Sequence, residues 1–245
     1  MLAIESLSKS FGALQVSKDI SLRVGAGQCH AVIGPNGAGK TTLIHQISGV
    51  LRQDSGRVVL GGRDVSGLSV WERVQAGLGR TFQITSVLPS FSVLENVATA
   101  VQAKSGSSLR FLSRAAGETA LNDRAQDILD RVGLGDGSLR PAADLSHGEL
   151  RLLEIAIALA GAPKVLLLDE PMAGLGKTES LALIDLLTDL RDSFPMLLVE
   201  HDMDAVFRLA DTLSVLVNGE IIARGSPEEV RENPQARAAY LGDGQ

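Results

Sequence analysis

Gly34-Pro35-Asn36-Gly37-Ala38-Gly39-Lys40-Thr41 fits the pattern G-x-x-x-x-G-K-[ST], and the reading of the whole chain turns on it. The apolar run Ala31-Val32-Ile33 precedes it and the apolar-rich stretch Thr42–Val50 follows, which predicts strand, loop and helix in that order. Glycines let the backbone wrap close to a phosphate group. Successive N–H groups and the helix N-terminus add positive potential. The Lys40 ammonium is placed to reach the β- and γ-phosphates, and the Thr41 hydroxyl to ligate Mg²⁺. A nucleotide site is therefore expected on Gly34, Asn36, Gly37, Ala38, Gly39, Lys40, Thr41 and Thr42.

Downstream, Val165-Leu-Leu-Leu-Asp169-Glu170 reads as a short apolar strand of the kind buried in a parallel sheet. Its end would bring Asp169 beside the phosphate loop, to hold Mg²⁺ directly or through water. Glu170 follows at the C-terminal tip, the usual seat of chemistry in open α/β sheets, where it could polarise an attacking water as general base. Leu145-Ser146-His147-Gly148-Glu149 has two compatible readings. Ser146 and Glu149 form a capping box, with Leu145 and Leu150 as a hydrophobic staple, which accounts for every residue except Gly148. A helix N-terminus is equally an anion site.

The remaining pattern alternates. Strands are expected at Leu2–Leu7, Ile20–Val24, Gln28–Ile33, Gly56–Gly61, Leu78–Gln83, Met196–Glu200, Thr212–Val217 and Glu220–Ala223. Helices are expected after Lys40, over Ser69–Ala76, from the Ser92-x-x-Glu95 capping box to Lys104, and over Glu118–Val132, Ser146–Ala160, Thr178–Arg191 and Met203–Leu209. Ser226-Pro-Glu-Glu229 opens a C-terminal helical tail. This predicts an α/β core, residues 1–88 and 163–225, interrupted by a helical subdomain, 89–162, and followed by a tail, 226–245.

Composition narrows the function classes. The 245 residues carry a net charge of −6, against the basic surface that nucleic-acid binding requires. The single cysteine, Cys29, cannot form an internal disulfide and lies in an apolar strand, so a reducing cytoplasm and a packing role are expected. The start, Met1-Leu-Ala-Ile-Glu5, lacks a secretory signal pattern, and no apolar run reaches the roughly 18 residues of a membrane span. His30 and His45 are expected to be structural or surface residues.

Taken in order, these segments resemble the Walker A, signature and Walker B motifs of ABC ATPases, and the resemblance covers the whole chain. It implies a P-loop NTPase fold with a parallel sheet, an antiparallel β subdomain and an inserted helical subdomain. It also implies roles for further residues. Gln83, after Arg80-Thr-Phe82, matches the Q-loop glutamine that contacts Mg²⁺ and water. His201 matches the switch histidine on the γ-phosphate, and Phe11 the aromatic that stacks on adenine. Ser146 and Gly148 would meet the γ-phosphate of a partner's ATP. Within the family, the chain looks most like the ATPase subunits of branched-chain amino acid uptake systems. The residues pointing there are Arg80-Thr-Phe-Gln83, Leu94-Glu-Asn-Val97, Arg151-Leu-Leu-Glu154, Val199-Glu-His-Asp-Met203, Pro227-Glu-Glu-Val230 and Ala239-Tyr-Leu-Gly242.

The resemblance implies a second ATPase subunit, identical or paralogous, and two membrane permeases docking near Gln83–Phe91. A solute-binding protein would deliver cargo, and the chain would sit peripherally on the cytoplasmic face of the membrane. A urea or amide importer, or a soluble ABC ATPase outside transport, are the alternatives. Two departures stand out: His147 and Glu149 replace Gly and Gln of the consensus, and Gly176 stands where many members have Asp.

Overall fold

The computed structural model describes residues 1–81, 87–105 and 114–241. Two sheets form. Strands β1 (Leu2–Phe11), β2 (Leu14–Val24), β4 (Ser55–Leu60) and β5 (Arg63–Asp64) make an antiparallel sheet in the order β2-β1-β4-β5. Strands β3 (Cys29–Ile33), β6 (Leu78–Arg80), β7 (Val165–Asp169), β8 (Met196–Val199), β9 (Thr212–Val217) and β10 (Glu220–Gly225) make the second, in the order β10-β9-β3-β8-β7-β6. It is parallel except for β10, which pairs antiparallel with β9.

The parallel strands are apolar on both faces because both faces are covered. Along β7, Val165 and Leu167 face one core, and Leu166 and Leu168 the other. The first core lies between the two sheets around helix α1 (Lys40–Ser48), through Leu43, Ile44 and Ile47. The second holds α3 (Val93–Ser105), α4 (Arg114–Arg131), α5 (His147–Ala160), α6 (Lys177–Arg191) and α7 (Met203–Leu209). Truncating a side chain such as Leu167 to Ala would cost about 2–5 kcal/mol. Helices α3 to α5 occupy the chain between β6 and β7, and α8 (Pro227–Glu232) and α9 (Pro234–Ala236) follow β10.

Four serine capping boxes form: Ser69 opens α2 (Val70–Ala76), Ser92 opens α3, Ser146 opens α5 and Ser226 opens α8. The largest departure from the sequence reading is at the start. β1 runs to Phe11 rather than Leu7, and β2 begins at Leu14 rather than Ile20. The register shifts between Ile4 and Leu7 and again to either side of Lys9, and Ser6 and Asp19 have positive φ. Such bulges break the two-residue alternation by which a strand is recognised.

Arg73 of α2 is among the largest fully buried side chains. Its guanidinium donates to Gln46 O and Ile47 O at the end of α1, at 2.7 and 2.8 Å, and to Ser66 O and Leu68 O. Cys29 and His30 are the packing residues expected. Burial, with the Asp211 carboxylate nearby, pushes the Cys29 thiol up to about 12. His30 Nδ1 lies 2.9 Å from Arg23 O, which can only accept, so Nε2 accepts from Ser214 Oγ at 2.8 Å.

Candidate active site

Sheet register brings the expected residues to one edge. Val32 of β3 pairs with Val199 of β8, and Val199 pairs with Asp169 of β7. The three strands are parallel, so the chain leaves all of them at the same level, into Gly34–Thr41, Glu200–His201 and Glu170. Glu170 N donates to Val199 O at 2.8 Å and Thr81 N to Leu167 O at 3.1 Å, extending the row beyond the strands.

The phosphate loop is shaped by close backbone approaches. A Cβ at Gly34 would fall 2.0 Å from Leu216 O, and one at Gly39 would fall 2.7 Å from Val16 O. Gly37 and Gly39 also have φ of 79° and 107°, which side chains disfavour. Gly39 is the N-cap of α1 and supplies no side-chain cap, and the first turn carries no acid. Asn36, Gly37 and Thr41 are exposed, Thr42 is half-buried, and Ala38 is buried. The Lys40 ammonium lies over the loop, donating to Gly34 O at 2.7 Å and Pro35 O at 3.1 Å. Burial pushes its pKa down, against the pull of the Glu170 and Asp169 carboxylates.

Asp169 is 3% exposed. Burial raises its carboxyl, and the Arg80 guanidinium acts the other way, with Nη2 3.7 Å from Oδ2. Arg80 itself donates to Ser48 Oγ at 2.7 Å. Asp169 Oδ2 is buried and, among the described residues, accepts no hydrogen bond. A buried carboxylate oxygen lacking a donor fits a hydrated Mg²⁺, whose ligand waters are donors, and the exposed Thr41 hydroxyl fits as second ligand. Among the described residues no cluster of three or more His, Cys, Asp or Glu is placed to hold a metal. Mg²⁺ in phosphate sites is held by one or two protein oxygens plus substrate, so none is needed. Glu170 is half-buried, with φ of 49°.

His201 follows β8 with its side chain 59% exposed and Nδ1 3.7 Å from Glu200 Oε2. Phe11 is 51% exposed at the end of β1, with Lys9 Nζ 5.6 Å from its ring centre. Gln83 lies outside the described residues. Ser146 is exposed at the start of α5. Its Oγ accepts from Glu149 N at 3.2 Å, and Glu149 Oε2 accepts from Ser146 N at 2.9 Å. Glu149 is thus turned back onto its own helix. A hydrogen bond from Arg140 is the main influence holding its carboxyl below the ordinary range. A Cβ at Gly148 would fall 2.7 Å from Glu179 Oε1, the tip of a flexible side chain that can swing aside.

The ABC transporter family model matches residues 17–173. The chain belongs to the ABC transporter ATPase family. It is 37% identical over 250 residues to the high-affinity branched-chain amino acid transport ATP-binding protein LivG of Salmonella typhimurium, covering 99% of this chain and 98% of that one. It is 33% identical over 244 residues to the lipopolysaccharide export ATP-binding protein LptB of Haemophilus influenzae, covering 99% and 98%. The model for branched-chain amino acid ATP-binding cassette transporters matches residues 220–245. Among solved structures, the ADP conformation of MJ1267, an ATP-binding cassette of an ABC transporter, superposes with a TM-score of 0.86 at 31% identity, covering 99% of each chain.

As an ABC ATPase the chain is a nucleotide-binding enzyme, and no helix among the described residues is long and apolar enough to cross a membrane. Sequence reasoning assigned no task to two buried charged residues of this ABC ATPase, Arg80 and Glu200. Arg80 is the cation beside Asp169. Glu200 is fully buried, and its carboxylate accepts from Met172 N, His201 N and Asp202 N. The signal present in the sequence is a charge placed within or directly after an apolar strand, where the next strand's end needs a partner.

Proposed function

We propose that this ABC ATPase hydrolyses ATP to drive an importer of branched-chain amino acids. The cargo reading is carried by the likeness to LivG along the whole chain, and the match of residues 220–245 favours it over the LptB likeness. The chemistry is supported by the convergence of Lys40, Asp169 and Glu170 at one sheet edge. Phe11 stacks on adenine. The loop Gly34–Thr42 wraps the phosphates, and Lys40 neutralises the β- and γ-phosphates. Thr41, Asp169 and Gln83 would hold Mg²⁺, which when bound would withdraw charge from the phosphate oxygens. Glu170 takes the proton of the attacking water, and His201 contacts the γ-phosphate.

Ser146 and Gly148, in the helical segment 89–162, address the γ-phosphate held by a partner cassette, identical or paralogous. Two permeases dock along 83–91, where Leu88 and Phe91 are exposed apolar residues, and so hold the chain at the cytoplasmic face of the membrane. A solute-binding protein supplies the cargo from the other side.

The test is uptake of radiolabelled leucine, valine and urea in cells lacking the gene, complemented with the parent or with Glu170→Gln. Amino-acid uptake returns with the parent and not with the variant. Loss confined to urea uptake would move the protein to the related urea or amide importers. A defect confined to lipopolysaccharide export would align it with LptB. Intact transport of every kind would make it a soluble ABC ATPase.

A further inference from the structure

We infer that Glu200 is a positioning residue that holds the Glu170 segment and the His201 turn in one fixed relation. The inference rests on the roles proposed above for Glu170 and His201. Glu200 directly follows β8 and is 0% exposed. Its Oε1 accepts from Met172 N at 2.8 Å, across the gap to the segment that leaves β7. Its Oε2 accepts from His201 N at 2.8 Å and Asp202 N at 3.1 Å, on the side that leaves β8. Asp202 in turn caps α7, accepting from Ala205 N at 3.1 Å. One carboxylate therefore bonds both loops at their first turn.

Burying a carboxylate is costly unless its oxygens are paired. Here the three hydrogen-bond donors are backbone N–H groups, with the His201 ring Nδ1 farther off at 3.7 Å from Oε2, a set that an acceptor-only side chain satisfies and an amide does not, because its NH₂ would face N–H. The bond to Met172 also bears on the conformation of Glu170. That residue sits in the left-handed region, where a side chain is strained unless its surroundings hold it. The surroundings are few. Glu170 N is tied to Val199 O, Glu170 O to Ala173 N, and two residues on, Met172 N is tied to Glu200. Releasing the last tie frees Glu170 to relax and simultaneously frees the turn that carries His201. A general base must stay within hydrogen-bond reach of its water, and a displacement of about 1 Å costs about 100-fold in rate.

The experiment uses the full chain as Glu200→Gln, His201→Ala and the double variant. Steady-state ATP turnover, binding of a fluorescent ATP analogue and thermal midpoint are measured. The expected result for Glu200→Gln is a kcat reduced about 10- to 100-fold, with KM and analogue affinity within about twofold of the parent. The double variant should lose little beyond the worse single variant, since residues that act as a unit are not additive. Parental kcat in Glu200→Gln, alongside an inactive His201→Ala, overturns the inference and leaves the site assignment standing. So does a double variant whose losses multiply. Parental kcat in His201→Ala overturns the assignment of His201 and the coupling with it. Amide exchange in the parent protein reads the same contact without any variant. Met172 and His201 N–H groups held by one carboxylate should share their protection, and a difference above about tenfold overturns the inference.

Discussion

Helices α1 and α5 both present an N-terminus to which a phosphate role is proposed above, and their ends are built in opposite ways. α1 opens on Gly39, with no side-chain cap and no acid in its first turn, so its orphan N–H groups and dipole are left for a ligand. α5 opens on Ser146 with a complete capping box, and Glu149 is further tied to Arg140. The first end awaits an anion from the moment it folds. At the second, Ser146 N and Glu149 N are already bonded within the box, so an anion arriving from a partner must compete for those two donors. The contrast matches a division of labour in which α1 holds ATP alone and α5 contributes only when another subunit closes over it.

Four substitutions bear on that contrast, from the largest expected effect to the smallest. Glu170→Gln at the α1 edge should lower kcat by about 10²–10⁴-fold while ATP binding persists, because the amide cannot accept a proton. Near-parental turnover would remove Glu170 from the chemistry. Lys40→Ala should weaken ATP affinity by about 10- to 100-fold, the worth of a charge-assisted hydrogen bond of about 1.5–3 kcal/mol. Its fold should be kept, as read by circular dichroism. Unchanged affinity would mean that the α1 end binds phosphate without its lysine.

Ser146→Asp tests the other end, because Asp is as good an N-cap as Ser. Thermal stability and ATP binding should stay parental. ATP-dependent dimerisation by light scattering should be lost, since the new carboxylate would oppose a phosphate in a poorly solvated interface at a cost of several kcal/mol. Normal dimerisation would reduce α5 to an ordinary capped helix. Glu149→Gln should have the smallest effect. Glutamine keeps the box but loses the charge contact to Arg140, worth about 0.5 kcal/mol in a solvent-screened pair. Because the folded carboxyl titrates below its ordinary range, this stability is present above that range and is lost as pH falls through the folded value. Melting curves of parent and variant should therefore differ slightly at pH 7 and converge in acid. A gap that widened in acid would contradict the ion pair.

The features legible in the sequence are those whose cause is local. The phosphate loop, the β7 strand ending in Asp169, and the serine boxes at 92, 146 and 226 all follow from residues within one turn or strand. The long hairpin of β1 and β2 was not legible beyond Leu7, because its bulges at Ser6 and Asp19 hide the alternation. Arg80 and Glu200 were not legible either. A charge at the end of a strand reads as solvent-facing until pairing sets it beside its neighbours, β6 against β7 for Arg80 and β7 against β8 for Glu200. The turn of Glu149 toward Arg140 needs the chain to fold back through Pro141, again a tertiary event.

Arg73 gives the phosphate helix a mechanical anchor. Its guanidinium grips the last carbonyls of α1 and the loop entering α2 together, so sliding one past the other would break bonds on both sides at once. Trp71 and Val74 of the same α2 line a cavity of about 180 Å³ that also touches α3 and α5. The far end of α1 and the wall of that cavity are thus joined through one buried cation. The helix is bolted at its far end to the neighbouring α2, as a free piston would not be.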